Sequence, residues 1–286
     1  MNGARAFLRE LRRDIESHPA VNHIFLNRLA TAPFSREDYR VFGENHVPLV
    51  FVYTSYLERL LCRAPSSEIK GWLAQVLVDA YSEGSRGEDP IELYGCFLRS
   101  AGSSVPDMPS YRVPAPAHAF IEAHRRVVSK DPFLVGLGAV GPGHAWAIPR
   151  MWNAILPGLR RAGFTEEAMR YFTLQVEEDK DHSARLEEAL ARCASTDRAQ
   201  QEIRRGALLS LAAHGELWSG VQRAIVKYRQ PRSVRPDGKT PRTLTGEMLL
   251  TAWDGSKTAQ RIEAAYAAVR ERIRPTMTEL LEQARR

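Results

Sequence analysis

Glu83, His144, Asp179 and His182 are the side chains whose settings could give them chemistry to do. Asp179 and His182 stand one helical turn apart in "YFTLQVEEDKDHSARLEEAL", a run from Tyr171 to Leu190 with no Gly or Pro, which should be helical. Helical spacing puts Gln175, Asp179 and His182 on one line that continues to Leu186 and Ala189. The apolar end of that line should face the core, and its polar end carries an amide, a carboxylate and an imidazole. Buried groups of that kind must be hydrogen-bonded, paired or bound to a metal. A carboxylate and an imidazole at i, i+3 recur as metal ligands in helical bundles. A plain carboxylate–histidine hydrogen bond, or a partly solvated face, is the alternative. Glu178, four residues before His182, competes for the inward position.

Three other stretches place ionisable groups in apolar settings. Glu83 in "DAYSEGSRGEDPIELY" shares a helical face with Trp72, Val76 and Ala80, and would otherwise be an exposed acid in a last turn. His144 lies beside Trp146 in "GAVGPGHAWAIPRMW", where a satisfied core histidine is the alternative. Glu44 and His46 precede Pro48 in "FGENHVPLV" and point in different directions, so at most one faces a cavity. "GLGAVGPG" is rich in glycine but follows no strand, which argues against a phosphate cradle. Its Gly136, Gly138 and Gly141 have the GxGxxG spacing but not the strand–turn–helix setting a nucleotide fingerprint needs, and there is no P-loop, HExxH or GxSxG pattern and no paired-cysteine zinc spacing.

The elements that must hold these groups read as helices. Strand signals are almost absent over 286 residues, of which 44% are hydrophobic. Ser35 with Asp38 forms a near capping box, and Pro48 should kink or restart the helix that follows. Ser67 should cap the next helix and Gly84 stop it, while Gly102 should close the one after "DPIELY". Helices then follow at about 115–129, 132–162 with breaks at the Gly/Pro cluster and Pro149, 165–193 and 197–228. "KYRQPRSVRPDGKTPRTLTG" is polar and rich in Pro, hence a linker or draped loop. Its basic residues, Lys227, Arg229, Arg232, Arg235, Lys239 and Arg242, are best read as solvated. A last helix at about 257–285 has a thin apolar stripe of Ile262, Ala265, Val269 and Ile273.

Composition bounds the setting. The net charge of +6 is modest, and nucleic acid would need a clustered basic face. No run approaches the roughly 18 apolar residues of a membrane span. The charged N-terminus lacks a secretory apolar region, and Cys62, Cys96 and Cys193 are widely separated, as in buried reduced thiols. A cytoplasmic protein with a small-molecule substrate is expected, with no nucleic-acid or membrane partner.

Taken in order, several stretches resemble the haem-oxygenase-like helical superfamily, in particular its iron-containing oxidase branch. The residues that carry the resemblance are "NHIFLNRLATAPFSREDYRVFGENHVPLV", "LAQVLVDAYSEGSRGEDPIELYGCFLRSAG", "GLGAVGPGHAWAIPRMWNAILPGLRRAG" and "YFTLQVEEDKDHSARL", with "GALLSLAAHGELWSGVQ" as the last core helix. The match runs from about residue 5 to 229. It implies an all-α fold, a seven-helix bundle over residues 1–229, with a basic linker and C-terminal helix at 230–286 as an extra tail. The resemblance also implies a central cavity holding two irons and enzymes that use dioxygen to oxidise small carboxylates; one or two Fe(II) ions and a homodimer are expected here. Glu83, Asp179 and His182 match three of the family's ligand positions. Pro90, Ala145 and Gln175 stand where a His, a Glu and a His are usual.

Two carboxylates and one histidine would suit one Fe(II) in a facial site, with His144 ligating or moving protons. The leading expectation is therefore an iron- and dioxygen-dependent oxidase or oxygenase of a small metabolite, amino-acid-like or another carboxylate, in specialised biosynthesis. Other members of the superfamily, resembling thiaminase II or pyrroloquinoline-quinone synthase, work without metal. On that pattern Glu83, His144, Asp179 and His182 would be acid–base groups. The third reading is a partner protein that has lost its ligands and interacts through the tail.

Overall fold

The computed structural model describes residues 2–80, 89–108, 110–177 and 179–230, without the side chains of residues 2, 79, 80 and 179–185. Eleven α-helices run in the order α1 (Asn2–Ser17), α2 (Ile24–Thr31), α3 (Arg36–Arg63), α4 (Ser67–Ala80), α5 (Pro90–Ser100), α6 (Ala115–Lys130), α7 (Phe133–Val140), α8 (Ile148–Arg161), α9 (Glu166–Glu177), α10 (Asp179–Cys193) and α11 (Asp197–Arg229). A π-turn, Gly141–Ala145, separates α7 from α8. No strand occurs among the described residues, so the all-α expectation holds. The expected tail helix lies outside them.

Local chemistry sets the helix ends. Ser35 accepts a bond from Asp38 N while the Asp38 carboxylate accepts from Ser35 N at 2.7 Å, a reciprocal capping box at the start of α3. Gly102 (φ 84°) and Gly163 (φ 80°) end α5 and α8 in the left-handed conformation. Each sits in a Schellman arrangement, with Ser103 N bonded to Leu98 O and Phe164 N to Leu159 O. Arg36 ties these two ends together by donating to the carbonyls of Ser100, Ala162 and Gly163.

Some expectations are corrected. Pro48 neither breaks nor restarts its helix: α3 runs through it for 28 residues. A proline lacks the N–H that would serve the carbonyl four residues back. Here Tyr111 Oη donates to that carbonyl, Glu44 O, at 2.7 Å. The cap of α4 is Ser66, whose hydroxyl accepts from Ile69 N, one residue before the expected Ser67. The deeply buried stripe of α4 is Leu73, Ala74 and Leu77, and Trp72 and Val76 only flank it. Cys62 is exposed rather than buried, and Cys96 and Cys193 are partly buried. Lys227 and Arg229 belong to α11, and Arg229 is not a solvated loop cation. It makes a two-pronged ion pair with the buried Asp38, 2.7 Å on each side. Burial opposes that carboxylate's ionisation, but the bonds from Arg229 and Ser35 hold it ionised below its ordinary range.

The core centres on α3, which contacts α4, α5, α6, α7 and α11. One large apolar cluster fills the bundle from Ala4 to Ile225, with Val127, Val135 and Ala139 as a small satellite. The tightest helix pairing is α7 with α11, and glycine makes it possible. A Cβ on Gly206 would meet Val135 O at 1.9 Å, and one on Gly138 would meet Ile203 O at 2.1 Å. A Cβ on Gly143 of the π-turn would come within 2.7 Å of Ala207 O and Ser210 Cβ. The glycines of "GLGAVGPG" thus serve helix contact.

Candidate functional site

Pro142 explains why the chain turns wide after α7. It has no N–H to continue the ladder, and the backbone passes through a π-turn before α8 begins. Gly143 presses this turn onto α11, which places the next residue, His144, against His214 with ring centroids 5.2 Å apart. Tyr53 of α3 stacks on His144 at 4.9 Å, and Phe120 of α6 stands 6.4 Å away. His124, one turn after Phe120, completes the group at 6.3 Å from His144 and 6.1 Å from His214. Four elements, α3, α6, the π-turn and α11, therefore bring three histidines and a tyrosine together.

All three imidazoles are kept neutral. Burial lowers His124 to about 4 and His214 to about 3, and it drives His144 well below its ordinary value. A positive charge on His214, His124 or His46 would push His144 further the same way. The Tyr53 hydroxyl is pushed up to about 12 by burial, so it stays protonated and able to donate. Tyr53 and His144 nevertheless keep some accessible surface while His124 and His214 have almost none. Of the four, Tyr53 and His144 are therefore the ones a small molecule could reach.

A further buried histidine, His46, lies along the same face of α11, separated from His214 by Trp218, whose ring is 6.3 Å from each. It is walled by Trp152 (5.1 Å), Tyr94 (5.4 Å), Phe42 (5.9 Å) and Trp218 (6.3 Å). Burial lowers it to about 3, and its Nδ1 has no protein partner. Glu44, two residues earlier, turns outward to pair with Arg40 at 2.7 Å and to accept from Ser103 Oγ at 3.1 Å. The two do point in different directions, as their spacing requires.

Of the residues singled out in the sequence, His144 sits where the turn meets α11. Glu83 lies outside the described residues, and Asp179 and His182 are described in backbone only, on the first turns of α10. That helix reaches the π-turn through Leu186, which lies 3.2 Å from the Cβ position of Gly141. His182 is one turn before Leu186 on the same stripe. The three positions lacking an expected ligand are Pro90 at the first turn of α5, Ala145 at the end of the π-turn and Gln175 on α9. Asp89, beside Pro90, caps α5 by accepting from Ile91 N at 2.8 Å. Among the described residues, no three His, Cys, Asp or Glu side chains could hold a metal ion together. Sequence reasoning missed His124 and His214, which carry no motif and meet only through the fold.

A family described as iron-containing redox enzymes matches the chain over residues 40–215. None of the curated proteins matches it in sequence. Solved structures show the same fold at low identity. A CADD-like protein of unknown function from Nostoc punctiforme superposes with a TM-score of 0.67 at 11% identity, over 82% of this chain and 100% of that one. A TenA homologue from Pseudomonas syringae pv. tomato gives 0.60 at 16%, over 77% and 93%. A domain of unknown function from Shewanella denitrificans, described as having a haem-oxygenase-like fold, gives 0.60 at 13%, over 80% and 94%. The bundle is therefore haem-oxygenase-like.

Proposed function

Because the chain belongs to the family of iron-containing redox enzymes, we propose that it is an oxidase or oxygenase of a small metabolite using a single Fe(II) and dioxygen. The observation that carries this reading is the π-turn, which holds neutral His144 against Tyr53 and receives α10 at Gly141; the substrate would lie in a cleft beside Tyr53 and His144, the two rings of the cluster that keep some surface. Local π-turns inside helical proteins concentrate at functional sites.

Glu83, Asp179 and His182 would hold the metal. With Pro90, Ala145 and Gln175 at the other positions, the donors suit one ion rather than the pair a full six-ligand set would take. Iron bound there would supply dioxygen activation. The other groups work on the substrate. Neutral His144 can accept a proton or a hydrogen bond from a bound molecule, and the protonated Tyr53 hydroxyl can donate to one. Phe120 and the buried face of α11 keep bulk water from the ring cluster. The substrate is a small cytoplasmic metabolite with a carboxylate, and the chain works as a homodimer.

Anaerobic loading of the purified chain with Fe(II), followed by metal analysis and an oxygen electrode, tests this. One iron per chain, lost together with oxygen uptake in His182→Ala, is expected. Two tightly held irons would overturn the single-ion assignment, and no retained iron would overturn the metal-dependent reading altogether.

A further inference from the structure

His214 differs from its neighbour His124 in one respect that bears on what the cleft binds. His124 is saturated: its Nδ1–H donates to Phe120 O at 3.1 Å, and its Nε2 accepts from Ser210 Oγ at 2.9 Å. His214 uses only one nitrogen, with Nδ1–H donating to Ser210 O at 2.9 Å, one turn back on α11. That bond places the proton on Nδ1 and leaves a lone pair on Nε2. Nε2 has no protein partner, and the residue is 1% exposed. With Nδ1 turned to its own helix, Nε2 lies on the opposite side of the ring, away from α11. Phe120 stands 4.7 Å and His144 5.2 Å from the ring, so His214 borders the proposed substrate position beside His144 and Tyr53. A buried acceptor without a partner destabilises the fold. Such a group is retained where something else satisfies it.

We propose that His214 determines substrate specificity: its Nε2 accepts a hydrogen bond from an uncharged O–H or N–H on a planar ring of the molecule in the cleft. A carboxylate placed here would meet a lone pair. An ammonium would lose its water beside neutral rings. A phenol-, lactam- or azole-like group supplies the missing donor, and its flat face suits the stack formed by Tyr53 and His144. A substrate carboxylate would then lie at another part of the cleft. The inference rests on the reading that this cleft takes the substrate, and it does not require iron.

The test uses the full chain labelled with ¹⁵N-histidine and two probes of similar shape, phenol, which has the donor, and anisole, which lacks it. Long-range ¹H–¹⁵N spectra should show His214 Nε2 unprotonated. Phenol should shift that nitrogen and bind about tenfold or more tighter than anisole. His214→Asn can still donate to Ser210 O but has no atom at the Nε2 position, so it should lose the preference. A protonated Nε2 in the free chain, or equal affinity for the two probes, overturns the proposal, as does a preference that survives in His214→Asn. If neither His144 nor His214 responds to phenol, the cleft itself is misassigned. A response at His144 alone removes only the role of His214.

Discussion

The two histidine-containing parts of the interior are built on opposite principles. Around His46 the bundle is filled by size: Phe42, Tyr94, Trp152, Phe172 and Trp218 interlock, with Trp152 and Trp218 almost wholly buried. Around His144 it is held by the absence of size, since Gly138, Gly143 and Gly206 let α7, the π-turn and α11 approach backbone to backbone. The first region is walled by large rings. The second keeps accessible surface on Tyr53 and His144 beside two neutral imidazoles. The same residue type is therefore set among large rings in one place and beside the partly exposed Tyr53 and His144 in the other. What decides between them is whether the neighbouring helix arrives with a ring or with a glycine.

Acid should produce the largest effect and should strike both regions together. His46, His124, His144 and His214 are all neutral in the fold, with values lowered by burial to about 3, 4 and 3 for His46, His124 and His214. Between those values and the ordinary value near 6.5, the unfolded chain binds protons that the folded chain refuses. The stability these groups supply is complete above about pH 6.5 and falls as pH drops toward about 4. Each histidine contributes on the order of 1 kcal/mol per pH unit in that window. Urea midpoints measured from pH 7 to pH 4.5 should fall steeply. In His46→Phe, where a ring again meets rings, the slope should be shallower by about one proton. An unchanged slope would show that His46 is not held neutral.

Substitution should then separate the two. Trp152→Ala should cost about 3–5 kcal/mol by urea unfolding, because it opens a cavity among rings that cannot collapse. Gly206→Ala should cost less, about 1–3 kcal/mol, and by overpacking: the added methyl meets Val135 O, a backbone atom that can move only with its helix. A stabilised Gly206→Ala would mean the α7–α11 contact is looser than the described geometry, and the contrast between the regions would fail.

Much of the fold could be read from the sequence because its signals are local. Ser35 with Asp38, Gly102 and the Gly/Pro cluster at 141–143 each act within a turn or two of themselves, and each does what its type dictates. Pro48 defeated the local rule through a distant residue, Tyr111, which serves the carbonyl that the proline abandons. The site was legible only in part for the same reason. His144 stands out next to its glycines, whereas His124 and His214 are related by tertiary contact alone: His124 bonds to Ser210, 86 positions away. The available signal was glycine on both facing segments, "GLGAVGPG" and Gly206, which marks a close helix crossing and hence the residues beside it.

The ion pair between Asp38 and Arg229 bears on the order of assembly. Its partners are 191 positions apart, so nearly the whole described chain must be in place before they can meet. Closing so long a loop is entropically unfavourable and is offset only by the packing of the helices in between. The pair is therefore expected to form late and to break early on thermal opening. Breaking it with Asp38→Asn should then speed unfolding more than it slows folding, as stopped-flow urea kinetics would read. Located where α11 ends, it acts as a latch on the finished fold.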